Sequence, residues 1–176
     1  TYEYYEYKVL SERIGDRVKN IIPPTEANVI YENGKISNAD AMTKDYIENP
    51  LIMQYVNDDK YTIILLENPP YDDSSSIRAY YDEEGNKHRT GNKESFVYTQ
   101  MKDAKNTFRN SNISSVRDFA NRFIWSAFKY YLRQDADSYI VFSPVKYFKS
   151  IGLIDKPHHR FESGFLFNRK HFHASP

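Results

Sequence analysis

The sequence predicts an α/β fold, and three observations carry that prediction. Ile63-Ile64-Leu65-Leu66 is an apolar run bounded by polar residues, the pattern of a short strand buried on both faces. Residues 116–133 then repeat Val116, Phe119, Ala120, Phe123, Ile124, Ala127, Tyr130 and Tyr131 at helical spacing. Tyr139-Ile140-Val141-Phe142 forms a second apolar run after that helix. Strand, crossover helix and parallel strand make a βαβ unit.

Composition sets the class. The chain has 176 residues, enough for one domain with its own core. Hydrophobic residues make up 40% and charged residues 27%, the balance of a globular soluble domain. Twenty-four basic side chains offset 24 acidic ones. A general polyanion binder is therefore excluded, whereas a local basic groove is not. Aromatic residues reach 16%, which suits a protein that packs and stacks rings. Cysteine is absent, so cysteine-ligated metals and disulfides are excluded and a cytoplasmic location is expected. No apolar run approaches the length that spans a membrane.

Taken in order, residues 1–7 are dense in tyrosine, a strand-favouring residue, and residues 8–21 repeat apolar side chains at helical spacing, with Gly15 as a weak point. Pro23-Pro24 breaks the chain. Residues 28–36 read as a hairpin turned at Glu32-Asn33-Gly34. Ile36 to Met42 then carries Asn38-Ala39-Asp40-Ala41, in which Asp40 is suited to cap a helix. Residues 43–56 read as helix interrupted near Asn49-Pro50, and Asn57-Asp58-Asp59 as a turn.

Residues 72–112 are polar with little apolar periodicity, so they read as a long functional or mobile insert. Basic residues, Lys87 and Arg89 among them, are interleaved there with Tyr80, Tyr81, Phe96 and Tyr98. That mixture suits a nucleic-acid surface, and the acidic residues of the same stretch suit a solvated loop. Ser143-Pro144 ends the second apolar run, and residues 145–151 read as a short helix closed by Gly152. Residues 161–176 read as two strands turned at Asn168-Arg169-Lys170. His158, His159, His171 and His173 lack the spacing of a metal site and read as surface histidines.

Directly after the first apolar run come Asn68-Pro69-Pro70-Tyr71. The prolines fix two φ angles, donate no N–H, and keep Asn68 out of the helical region. A stiff loop bearing an amide and a phenol thus leaves a strand at the sheet edge where α/β proteins bind ligands. Asn-Pro-Pro-Tyr after a strand resembles the catalytic motif of the S-adenosylmethionine-dependent DNA amino-methyltransferases of restriction-modification systems. These modify adenine N6 or cytosine N4.

The resemblance implies a Rossmann-like methyltransferase sheet with helices on both faces. It implies methyl transfer from S-adenosylmethionine to a flipped base, most naturally adenine N6. Asn68 and Pro69 would accept the two amine hydrogens, with Pro70 stiffening the loop and Tyr71 stacking on the base. Asp40, followed by Ala41, matches the position that accepts from the cofactor's adenine amine. Glu3, or Glu6, would hold its ribose from the end of a second strand. Phe172 or Phe167 would line the base pocket, and Lys87 and Arg89 would meet DNA. Partners would be double-stranded DNA and other restriction-modification subunits or domains.

The family's glycine-rich first loop has no counterpart among the six glycines. If residues 1–7 are the second strand, that loop lies upstream of Thr1 and the chain is a partial catalytic domain, incomplete at its N-terminus. No Pro-Asp…Glu-x-Lys nuclease arrangement occurs. Glutamine or RNA methylation uses the same chemistry and stands as an alternative. A non-catalytic binding or assembly module that keeps the fold is the alternative from another class.

Overall fold

The computed structural model describes residues 3–69, 79–81, 87–89, 95–105, 116, 119–142 and 161–166. The fold is mixed α/β. Helices α1 (Tyr4–Ile14), α2 (Lys44–Ile47) and α3 (Pro50–Val56) precede strand β1 (Ile64–Glu67). A small antiparallel pair, β2 (Ala79–Tyr81) and β3 (Lys87–Arg89), follows. Helices α4 (Phe96–Lys105) and α5 (Phe119–Ser126) lead, through a π-helical segment Ala127–Tyr131, to β4 (Ser138–Val141). The Leu132 N–H donates to the Ala127 carbonyl at 3.1 Å, the i→i−5 bond that defines that wider turn.

β1 and β4 pair in parallel, with Leu65 beside Tyr139 and Glu67 beside Val141. The expected βαβ connection is therefore present. Its register is set before the strands begin. Asp137 accepts from the Ile63 N–H through Oδ1 at 2.8 Å, and from the Arg133 and Gln134 N–H groups through Oδ2 at 2.7 and 2.8 Å. The Ser138 N–H donates to the Ile63 carbonyl at 2.9 Å. One carboxylate thus ties the turn before β4 to the start of β1. Burial pushes the Asp137 acid up, but the three backbone donors outweigh it and hold it below its ordinary 3.8.

The expectation that Ile63–Leu66 is buried on both faces is corrected. Ile63 and Leu65 pack on the core, while Ile64 is 67% exposed and Leu66 63% exposed. Ile140 and Phe142 continue the same outer face. The strand alternates because helices cover one face of this two-stranded sheet. The core beneath the covered face is Met42, Ile47, Val56, Val97, Met101, Val116, Trp125 and Tyr131.

Residues 1–7 were expected as a strand, yet Tyr4–Ile14 is a helix. Tyrosine favours strands only where a neighbouring strand gives it a surface to pack on. Here its partners are local: the Tyr4 and Tyr7 rings stack 6.4 Å apart and the Lys8 ammonium lies 5.0 Å from the Tyr4 ring centre. These are helix-face pairs. The helix expected to run to 21 stops at Ile14, before Gly15.

The polar insert also contains a helix that periodicity shows once Val97, Met101 and Ala104 are read together. Val97 and Met101 are buried, and the Ser95 hydroxyl accepts from the Tyr98 N–H at 3.2 Å. Residues 161–166, expected as strand, hold no regular structure and are exposed. The short helix expected over 145–151 lies outside the described residues.

The hairpin is present in minimal form. Ile30 and Ile36 make one antiparallel bridge, and Gly34 takes φ 77° at the turn, where a side chain would be strained. The Asn49-Pro50 interruption is where α2 gives way to α3. Buried Asn49 accepts from the Leu51 N–H at 2.9 Å and Pro50 takes the first helical position. Its amide nitrogen donates to the Tyr31 hydroxyl at 3.0 Å, which meets Ser37 Oγ at 3.0 Å, and Ser37 donates on to the Pro23 carbonyl. This chain of bonds fastens the hairpin to α3.

Two stability outcomes follow. Asn49→Ala removes a cap and one of the two side-chain bonds of the Tyr31 hydroxyl, so it should cost about 1–3 kcal/mol in chemical denaturation. Asn49→Asp, which keeps the cap, should cost less. Asp137→Ala should cost about 2 kcal/mol near neutral pH. Because the folded acid is depressed, its contribution is full above 3.8 and fades as pH falls through the folded value. The gap between wild type and variant should therefore close in acid; a gap independent of pH would refute the ionic clamp.

Candidate functional site

The site is built where β1 ends. The Glu67 carbonyl accepts from the Phe142 N–H at 3.0 Å, and its carboxylate Oε2 accepts from the Tyr139 hydroxyl at 2.6 Å. Two residues on, Pro69 is fully buried. Asn68 stands between these anchors and is exposed. Its backbone is restricted by the proline that follows. The sequence has therefore placed an exposed amide on a span fixed at both ends, at the carboxyl edge of a parallel strand. A primary amide offers one acceptor oxygen and two donor hydrogens, and the Pro69 carbonyl is an acceptor from a residue without an N–H.

Strand alternation turns Leu65 and Glu67 inward beside Tyr139 and Val141. Glu67 thus enters a group of phenols. Tyr139 comes from β4, Tyr46 from α2 and Tyr131 from the π-helical segment, and the last two lie within electrostatic range of the carboxylate. Burial pushes the Glu67 acid above its ordinary 4.5, and the Tyr139 hydrogen bond only partly opposes this. Burial, reinforced by the Glu67 charge, pushes the Tyr46 and Tyr131 phenols above their usual range as well. The buried Tyr131 hydroxyl has no hydrogen-bond partner among the described residues.

Asp40 lies in a loop and not at the end of a strand, since only the single bridge at Ile36 precedes it. Its N–H is held by Asn38 Oδ1 at 2.9 Å and its Oδ1 accepts from the Met42 N–H at 3.0 Å. The cap of α2 is Thr43, whose hydroxyl accepts from the Tyr46 N–H at 3.3 Å. Asp40 instead receives the Thr43 hydroxyl on its carbonyl at 2.7 Å. Ala41 packs against the core that Leu65 also lines, and the Met42 carbonyl accepts from the Val97 N–H at 3.3 Å. The Asp40 loop and the Asn68 edge are therefore joined through the core and through Tyr46 beside Glu67.

Glu3 is corrected. It is the residue before α1, exposed, with no side-chain capping bond, and it ends no strand. Glu6 lies inside α1. Lys87 and Arg89 fall on β3, where Lys87 pairs with Tyr81 and Arg89 with Ala79. Pro70, Tyr71, Phe167 and Phe172 lie outside the described residues, as do His158, His159, His171 and His173.

Sequence reasoning missed Glu67, Tyr139, Tyr46 and Tyr131. Parity along β1 would have found the first, because Leu65 facing the core turns Glu67 the same way. Among the described residues no group of three or more His, Cys, Asp or Glu could hold a metal ion, and no helix is long and apolar enough to cross a membrane. Comparison with protein families, curated proteins and solved structures finds no match for the chain.

The raised Glu67 acid has a definite sign. The folded state holds its proton over a pH window in which the unfolded chain has lost it, so stability falls as pH rises from 4.5 through the folded value. Glu67→Gln should accordingly be as stable as wild type or more so near neutral pH, with the advantage shrinking in acid. Thermal unfolding across that range checks it; a variant less stable at every pH would show that the charge is stabilising.

Proposed function

We propose that the chain is a methyltransferase unit that presents an exocyclic amine to S-adenosylmethionine, the amine being adenine N6 of a base flipped from double-stranded DNA in a restriction-modification system. The observation that carries this reading is Asn68, exposed between the anchored Glu67 and the buried Pro69 at the carboxyl end of β1. A ring-conjugated amine is a poor nucleophile. Fixing its two hydrogens on the Asn68 side-chain oxygen and the Pro69 carbonyl would aim its lone pair and stabilise the positive charge that forms on nitrogen. Bound S-adenosylmethionine would supply the methyl group on a sulfonium centre.

The cofactor residues fit unevenly. Asp40 fits an adenine-amine acceptor: its loop is locked by its own backbone and side-chain bonds, and a carboxylate that takes one N–H keeps further acceptor sites. Glu3 precedes α1 and ends no strand, so the strand-end position expected for a ribose clamp has no support at Glu3. A Rossmann-like completion of the sheet around β1 and β4 belongs to this same reading. Tyr71 as the stacking ring, Phe172 in the base pocket and Lys87 and Arg89 along DNA phosphates come from the family resemblance.

A second reading has one observation in its favour. The apolar outer face of β1 and β4 suits a non-catalytic assembly module that retains the scaffold.

Calorimetric titration of S-adenosylmethionine and S-adenosylhomocysteine, followed by methyl transfer to duplex DNA, separates the two. Binding and transfer are expected. In the active protein, Asn68→Ala should lower kcat by ~10²–10³-fold with little change in cofactor affinity. Equal losses in both would remove Asn68 from the proposed role. Absence of binding would favour the assembly module, and transfer to RNA or a glutamine side chain in place of DNA would change the substrate class.

A further inference from the structure

We propose that Glu67 is the positioning residue for Asn68, acting through its hydrogen bond from Tyr139, so that the charge on Glu67 sets how the Asn68 amide is held. For the reaction this rests on the methyl-transfer reading; the positioning itself does not.

The geometry is direct. Glu67 is the residue before Asn68, and its carboxylate makes the side-chain bond that joins β1 to β4, with the Tyr139 hydroxyl 2.6 Å from Oε2. Its carbonyl is bonded to the Phe142 N–H. Pro69 is immobilised by burial on the other side. A change at the Glu67 carboxyl group therefore acts on the residue joined directly to Asn68, which stands exposed between two held neighbours.

The surroundings make Glu67 the group that changes. The titratable groups around it are Tyr139 from β4, which bonds to it, and Tyr46 from α2 and Tyr131 from the π-helical segment, which lie within electrostatic range. Phenols stay protonated across the range in which a carboxylic acid ionises, and burial moves Tyr46 and Tyr131 further from it. When ionised, Glu67 draws the Tyr139 hydroxyl into a charge-assisted bond, and 2.6 Å is the length of such a bond. When protonated, it accepts more weakly and gains a hydrogen of its own to place. The two charge states thus differ in the strength of the bond that Glu67 makes to Tyr139.

An ionised carboxylate held partly out of water lowers stability, and an apolar residue at this inward position would pack without that cost. Residues that break local rules in this way mark functional sites more often than scaffold.

The test is an NMR titration of the labelled chain, following the Glu67 carboxyl carbon and the Asn68 side-chain amide together. One shared midpoint is expected in wild type. The Asn68 step should vanish in Glu67→Gln, and the Glu67 midpoint should move up in Tyr139→Phe, which removes a donor to the charged form. Asn68 resonances that stay flat through the Glu67 titration overturn the proposal, and that result needs no variant to fold. So does an Asn68 step that persists unchanged in Glu67→Gln. If methyl transfer is present, Glu67→Gln should lower kcat ~10- to 100-fold, with KM little changed, and abolish the limb of the pH–rate profile that carries the Glu67 midpoint. A profile unchanged in Glu67→Gln overturns the role in the reaction. Shared titration in a wild-type protein that transfers no methyl group sustains the positioning and removes the methyl-transfer reading.

Discussion

A single carboxylate fixes the frame on which the site depends. Asp137 collects the N–H groups of Ile63, Arg133 and Gln134, residues that the chain brings together from opposite ends of the crossover. A parallel strand pair has no tight turn to set its register, so something outside the ladder must do it. Here Asp137 places Ile63 against Ser138, and each later pair follows one residue at a time. A slip of one residue would reverse every side chain in the strand. Glu67 would then face outward, away from Tyr139, and Asn68 would lose the anchor before it.

From that register the site follows by parity. Ile63, Leu65 and Glu67 share the inner face, so the strand that begins in the core ends on an acid among phenols. The π-helical segment contributes Tyr131 to the same place. Across that wider turn Tyr130 packs against the Phe96 and Trp125 rings and Tyr131 is buried in the core. The packing of α4 against α5 is reinforced by Arg122, buried with its guanidinium over the Tyr98 and Phe119 rings at 4.7 and 5.3 Å.

What could be read from the sequence was what local chemistry decides. Asn33-Gly34 makes the turn with a positive φ at Gly34; Asn49-Pro50 caps and restarts a helix; the short, bounded apolar runs from Ile63 and from Tyr139 mark the strands Ile64–Glu67 and Ser138–Val141. What could not be read depended on neighbours distant in the chain. Tyr4 to Tyr7 became helix because no strand lies alongside to reward their rings. Ile64 and Leu66 are exposed because burial of a second sheet face requires a second layer, which is a property of the assembly and not of the run. At the site, Asn68 and Asp40 were legible as residue types, yet only the fold revealed that Glu67, the residue before the first, is bonded to Tyr139 and that Asn38 and Met42 hold the second.

The surroundings of Asn68 differ from those of Asn49. A structural asparagine is normally buried and spends its amide on the protein's own groups, as Asn49 does on the Leu51 N–H and the Tyr31 hydroxyl at the start of α3. Asn68 is exposed, and its neighbours are held as well, Glu67 by its bonds to Tyr139 and Phe142 and Pro69 by burial. Ordering the neighbours of an exposed side chain lowers the entropy that a ligand would otherwise have to remove on binding. That cost is incurred during folding, along with the penalty for a buried carboxylate at Glu67, and neither contributes to stability.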